Sequence, residues 1–145
     1  MMRLAILVLS LALTGTATAA AGSLSPVVDP YLRVQTSLAN DAVEGIGELA
    51  KQIAAAAGAL GAAAKPLADA ARQLESAKKI EEARAAFGRL SDALLEYSQK
   101  TGTPLGEGVR VAYCPMAPGS WAQKGDTIAN PYYGASMLTC GSFKK

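Results

Sequence analysis

From Tyr31 to Tyr97 apolar and small side chains recur at steps of three and four, and that spacing constrains the fold more than any other feature of the chain. Residues three and four apart share one side of an α-helix, so such steps lay a continuous stripe along each helix. Tyr31, Val34, Leu38, Ala42, Gly45, Leu49, Ile53 and Ala56 form the first stripe. Asp29 and Pro30 read as its N-cap and first helical residue. The spacing predicts a helix over 30–57, roughly 40 Å long at 1.5 Å per residue. Gly45 and Gly47 each weaken it by about 1 kcal/mol relative to alanine. Gly45, on the inner face, suits a close helix crossing.

Gly58 and Gly61 interrupt the pattern. Leu67, Ala70, Leu74 and Ala77 make a second stripe, predicting a helix over 62–77 with Pro66 in its first turn, where proline is tolerated. Lys78 and Lys79 suit a helix C-terminus, and Glu81 and Glu82 suit the start of the next. Ile80, Ala83, Phe87, Leu90, Leu94 and Tyr97 then mark a third helix over 79–100, which Lys100, Gly102 and Pro104 stop. The expected class is all-α: an antiparallel three-helix bundle with an irregular C-terminal cap and room there for a small β-hairpin. The stripes also suit a membrane surface or a partner's coiled coil. Much of the apolar content is alanine, so the core depends on close helix approach rather than on bulky side chains.

Ahead of the helices, Arg3 is followed by the apolar run Leu4 to Leu13 and by small residues ending in Ala17-Thr18-Ala19. Charged start, short apolar core and A-x-A exit are the parts of a secretory signal peptide. The expected organisation is a signal peptide over 1–20, cleaved near Ala19 to Ala21, a linker over 21–28, and one helical domain over 29–145. The apolar run is shorter than the roughly 20 residues of a membrane anchor, so no anchor is expected after cleavage. The expected location is periplasmic.

Loss of Arg3 from 14 basic residues leaves 13 against 12 acidic, a formal charge of +1. That balance argues against a nucleic-acid partner, which calls for a basic face. The chain has no histidine. The commonest general base, triad partner and zinc ligand is therefore missing. No C-x-x-C is present, and no carboxylate pair is placed by a motif, so the chain is not expected to be an enzyme.

After Thr103 the composition changes. This stretch holds four of the seven prolines and five aromatic residues: Tyr113, Trp121, Tyr132, Tyr133 and Phe143. It is too aromatic for a disordered tail. Val109 to Tyr113 alternates as a short strand, and Asn130-Pro131-Tyr132-Tyr133-Gly134 reads as a turn. Tyr113, Trp121, Tyr132 and Tyr133 are expected to pack the cap.

All sulfur beyond the signal peptide lies here, in Cys114-Pro115-Met116 and Met137-Leu138-Thr139-Cys140. Thiolate and thioether are soft ligands suited to Cu(I) or a similar ion, which makes Cys114, Met116, Met137 and Cys140 candidate metal ligands. Met137 and Cys140 would share one side of a helical turn. The alternatives are a disulfide between Cys114 and Cys140, the usual state of two cysteines in an exported domain, with the methionines as packing, and free or redox-active thiols.

Tyr113-Cys114-Pro115-Met116-Ala117, Trp121, Ile128, Asn130 to Gly134, Met137-Leu138 and Cys140-Gly141 together resemble an exported domain-of-unknown-function family of the DUF3347 type. Upstream, Tyr31-Leu32 with Leu38 to Asp41 resembles its first helix, and Arg84, Phe87, Leu90 and Ser91-Asp92 its last. The family also occurs fused to the periplasmic adaptor subunits of copper/silver-type heavy-metal efflux pumps. The resemblance implies a helical domain with a Cys/Met-bearing cap, associated with metal export. The implied partner is such an adaptor or another envelope protein. Two functions follow: metal binding or handling, or a disulfide-stabilised domain that docks on an envelope protein without a metal.

Overall fold

The computed structural model describes residues 23–145. The expected signal peptide and residues 21–22 of the expected linker lie outside the described residues. The rest of that linker is not a free connection, because 25–28 already form the first turn of a helix whose Val27 and Val28 are buried. Among the described residues four α-helices come first: α1 (Ser25–Ala39), α2 (Ile46–Ala59), α3 (Lys65–Glu75) and α4 (Ile80–Thr101), in place of the expected three. Strands β1 (Val109–Tyr113), β2 (Ser120–Lys124) and β3 (Ser142–Phe143) follow, in the order β2-β1-β3. Both pairings are antiparallel, with Ala112 opposite Trp121 on one side and opposite Phe143 on the other. The molecule is mostly helical but not all-α, because the cap contains a small sheet.

Two helices occupy the span read as one. α1 ends in a left-handed turn centred on Asp41, whose φ is 58°. The Ala42 N–H donates to the Ser37 carbonyl at 2.9 Å and the Asp41 N–H to the Leu38 carbonyl at 3.2 Å. This is the Schellman arrangement, with aspartate where glycine is usual. The stripe ran on through 42 and 45 because those residues are small, not because they continue the helix. Gly45 lies at the N-cap of α2 with φ of 76° and has nothing within contact distance, so it serves the turn and not a crossing. The close approach belongs to Gly47, where a Cβ would sit 3.3 Å from the Glu75 carbonyl at the end of α3. The start also differs. Leu24 is the N-cap of α1 and Pro26 lies in its first turn, so Asp29 and Pro30 are inside the helix.

α2 packs on α1 and α3, α3 on α4, and β2 lies across both α4 and α1. Ala50, Ala57, Ala64 and Ala71 are fully buried in the α2–α3 region, the close packing that an alanine-rich core requires. Larger side chains gather where the cap meets the helices. Tyr31 stacks on Phe87 at 4.9 Å, Phe87 lies 6.0 Å from Tyr132, and Trp121 meets Tyr132 edge-on at 5.8 Å. The cap is thus part of the main core.

β2 is an edge strand, and two tyrosines cover its open side. The Ala122 N–H donates to the Tyr31 hydroxyl at 3.1 Å, and the Tyr132 hydroxyl donates to the Ser120 carbonyl at 3.2 Å. A buried edge needs such partners, since unpaired backbone groups there are costly and prone to pair with other chains.

Candidate functional site

The two Cys/Met segments fold as two turns that meet. Cys114 follows the last residue of β1, and the Ala117 N–H donates to its carbonyl at 3.0 Å, curling Cys114-Pro115-Met116-Ala117 into one turn. The Cys140 N–H donates to the Met137 carbonyl at 3.0 Å, which curls Met137 to Cys140 into the other. A turn of this kind brings its first and last Cα within about 7 Å. Met137 and Cys140 therefore approach each other through a β-turn rather than on a helix. Cys114 and Cys140 are joined by a disulfide, their Cα atoms 5.7 Å apart. Cys114 is buried and Cys140 half-buried, while Met116 is 64% exposed and Met137 half-buried.

Each turn has its own backbone anchors. Asn130 is fully buried and bridges the corner: its Nδ2 donates to the Cys140 carbonyl at 3.0 Å and its Oδ1 accepts the Tyr132 N–H at 2.9 Å. The Asn130 N–H donates to the Leu138 carbonyl at 2.8 Å. The Tyr133 hydroxyl donates to the Met116 carbonyl. Gly141 has φ of 135°, and a Cβ there would stand 2.6 Å from the Tyr113 carbonyl and 3.1 Å from the Trp121 ring. Only glycine lets the chain pass between β1 and Trp121. Trp121 is fully buried, and its Nε1 donates to Gln123 Oε1 at 2.9 Å. Gln123, itself 1% exposed, also accepts the Ala129 N–H at 3.1 Å and donates to the Thr127 carbonyl at 2.8 Å.

A second tie fastens the cap to the helices. Arg84 on α4 donates through Nε to the Pro131 carbonyl at 3.0 Å, and through NH2 to Asp41 at 2.6 Å and to the Leu38 carbonyl at 3.1 Å. Asp41 also accepts the Ala135 N–H at 2.9 Å. The Ala135 N–H, and then Arg84, hold the Asp41 carboxyl below its ordinary pKa of 3.8. Gly134, with φ of 53°, lies directly over this clasp, where a Cβ would come within 2.6 Å of Arg84 NH2. Asp41, Arg84 and Gly134 carried the family resemblance without a role; here they meet at one point. Signs for the buried Gln123 were absent, because an isolated glutamine in a strand carries no pattern.

Of the expected packing residues, Trp121 and Tyr132 are buried and Tyr133 is half-buried. Tyr113 does not pack the cap. It is 42% exposed, because its side chain points away from the buried face that Ala112 occupies. Among the described residues, Met116 and Leu138, 64% and 38% exposed, are the other large apolar side chains left open to solvent.

With the cysteines bonded, the sulfur donors free to bind a soft ion among the described residues are the thioethers of Met116 and Met137. Among the described residues, no group of three or more Cys, Asp or Glu is placed to hold a metal. No helix among them is long and apolar enough to cross a membrane.

The arrangement defines a disulfide-braced helical domain whose aromatic cap is wired into its core. Residues 27–105, more than half of the chain, match the family described as Protein of unknown function (DUF3347), and the chain belongs to that family. The match runs from Val27 in α1 through α4 and ends before β1, so both cysteines lie beyond it. No curated protein and no solved structure matches.

Proposed function

We propose that this protein handles a soft metal ion, copper above all, outside the cytoplasm, by binding it at the sulfur corner of the cap. One observation carries the reading: the fold draws both Cys/Met turns to one corner, joined Cys114 to Cys140, although 26 positions separate them in the chain. Sulfur is the donor chemistry that prefers Cu(I) over the harder ions of the environment. The role is binding rather than catalysis, since a chain without histidine and without a placed acid–base pair has no evident reaction to perform. The signal-like N-terminus supports action in the periplasm, and the association with efflux adaptors that the resemblance implies supplies the context of metal export. Titration of the mature protein with Cu(I) against a chromophoric chelator tests the site. Competition that weakens in Met116→Leu/Met137→Leu is expected; no competition by any form of the protein sinks the reading.

A second reading is favoured by the disulfide and the exposed apolar residues. Tyr113, Met116 and Leu138 all lie within two residues of Cys114 or Cys140. A braced patch of this kind suits docking on an envelope protein, an efflux adaptor included, with the methionines as contact residues. Tyr113→Ser/Leu138→Ser is expected to abolish capture of a partner from envelope extract while leaving Cu(I) competition unchanged. Capture that survives this change argues against the patch.

A further inference from the structure

We propose that the sulfur corner is gated by its own disulfide: reduction leaves the cap in place and presents a prepositioned pair of thiols, flanked by Met116 and Met137, that takes a soft monovalent ion such as Cu(I) or Ag(I). This rests on the metal-handling reading above and adds when the site is competent.

The S–S bond is not what positions the two cysteines. Cys114 continues β1, whose last residue Tyr113 pairs with Ser120 on one side and Ser142 on the other. Cys140 is held through its carbonyl by the buried Asn130 and through the fit of Gly141 against Tyr113 and Trp121. Beyond these, Trp121 and Tyr132 sit in the helical core, and the Arg84–Asp41 clasp fastens the Pro131 to Ala135 stretch. None of these contacts passes through sulfur. Breaking the cross-link removes a constraint on the unfolded chain and leaves the native anchors intact.

The bond is also within reach. Cys140 is only half-buried, and Pro115 and Met116 beside its buried partner are exposed. A dithiol reductant passes two electrons and two protons to the disulfide, becoming a disulfide itself and leaving Cys114 and Cys140 as thiols. Binding of a monovalent ion displaces the thiol protons to water, and the neutral thioethers of Met116 and Met137 complete the soft donor set. In the oxidised protein the same corner offers thioethers only.

The test uses the mature wild-type protein in two states: as isolated, and reduced with dithiothreitol in native buffer and desalted without oxygen. Each is titrated with Cu(I) against bicinchoninate, and amide exchange of Trp121, Ala129 and Ala135 is followed in parallel. The reduced form is expected to bind at least about 100-fold more tightly, as thiolates replace thioethers in the donor set. Protection of the three amides is expected to stay within about tenfold of the oxidised level. Equal affinity in the two states overturns the gate but leaves metal handling standing. No binding by either state ends both. Tight binding with lost protection overturns the prepositioned pair, and so does a disulfide that resists dithiothreitol until the protein unfolds.

Discussion

Replacing Tyr31 by phenylalanine removes one oxygen on which three elements meet. Tyr31 is fully buried on α1; its hydroxyl shares a hydrogen bond of 2.7 Å with Ser91 Oγ on α4 and accepts the Ala122 N–H of β2 at 3.1 Å. The phenylalanine ring keeps the stack on Phe87, so the loss is of hydrogen bonding and not of packing. The Ala122 N–H faces away from β1 and is left without a partner in a fully buried position. An orphaned buried polar group costs about 1–3 kcal/mol. Ser91 loses less, because a helical serine can turn its hydroxyl to the carbonyl one turn back. The expected destabilisation is about 2–3 kcal/mol. In a domain of roughly 120 residues each kcal/mol moves Tm by about 4 °C, so a fall of roughly 8–12 °C is expected. Urea unfolding followed by Trp121 fluorescence should show the same loss with an unchanged m-value. Ser91→Ala closes a double-mutant cycle. Its cost, about 1 kcal/mol alone, should shrink in the Tyr31→Phe background, where its partner is already gone. A Tyr31→Phe protein within about 0.5 kcal/mol of wild type, or strict additivity in the cycle, would refute the role given to this hydroxyl.

Gly134→Ala should cost about 2–3 kcal/mol, since a Cβ drives into the Arg84–Asp41 clasp at a left-handed φ; amide exchange at Ala135 should rise more than in α2. Trp121→Ala, which empties a fully buried site shared by cap and helices, should cost about 3–5 kcal/mol by thermal denaturation, whereas Met116→Leu should be neutral. Acidification should loosen the clasp. The Asp41 pKa is lowered on folding, so its contribution is present above the ordinary carboxyl value of 3.8 and is lost as the pH falls through the folded value. The Tm difference between wild type and Asp41→Asn should accordingly shrink as the pH is lowered below 3.8, and a difference that does not change with pH excludes the ionised clasp. In alkali the sign reverses. Burial raises the phenol pKa of Tyr31 above 10 and pushes that of Tyr132 up to about 12, so stability is full below pH 10 and falls as the pH climbs from there toward 12. Urea midpoints at pH 8, 10 and 11 should follow that course, with a shallower fall in Tyr132→Phe.

The helical stripes were legible because buried positions in α3 and α4 obey one period: Leu67, Ala70 and Leu74, then Ala83, Phe87, Leu90 and Leu94, are all buried. The strand over Val109–Tyr113 was legible from the alternation of its residue types, although burial follows that alternation only over Val109 to Val111. The break between α1 and α2 was not. It depends on Asp41 adopting a left-handed φ in place of glycine, and what holds it there is Arg84 and the Ala135 N–H, remote in sequence. β2 was missed because its residues, Ser120 to Lys124, are buried in succession at Trp121, Ala122 and Gln123 and show no alternation. The pattern of a strand covered on both faces is set by its neighbours.

The sulfur corner divides in the same way. From the sequence alone came the restriction of all sulfur beyond Met1 and Met2 to two short segments, and with it the choice between a soft-metal site and a disulfide. That much is composition and position, which no fold alters. Only the tertiary structure decided that the two segments meet, that Cys114 and Cys140 are bonded, and that Tyr113 and Met116 face solvent while Trp121 and Tyr132 are buried. The physical reason is that local periodicity encodes which face of an element is apolar, whereas the meeting of two turns 26 positions apart is arranged by Asn130, Gly141 and the Arg84–Asp41 clasp. Those contacts join residues distant in the chain, and no spacing in the sequence announces them.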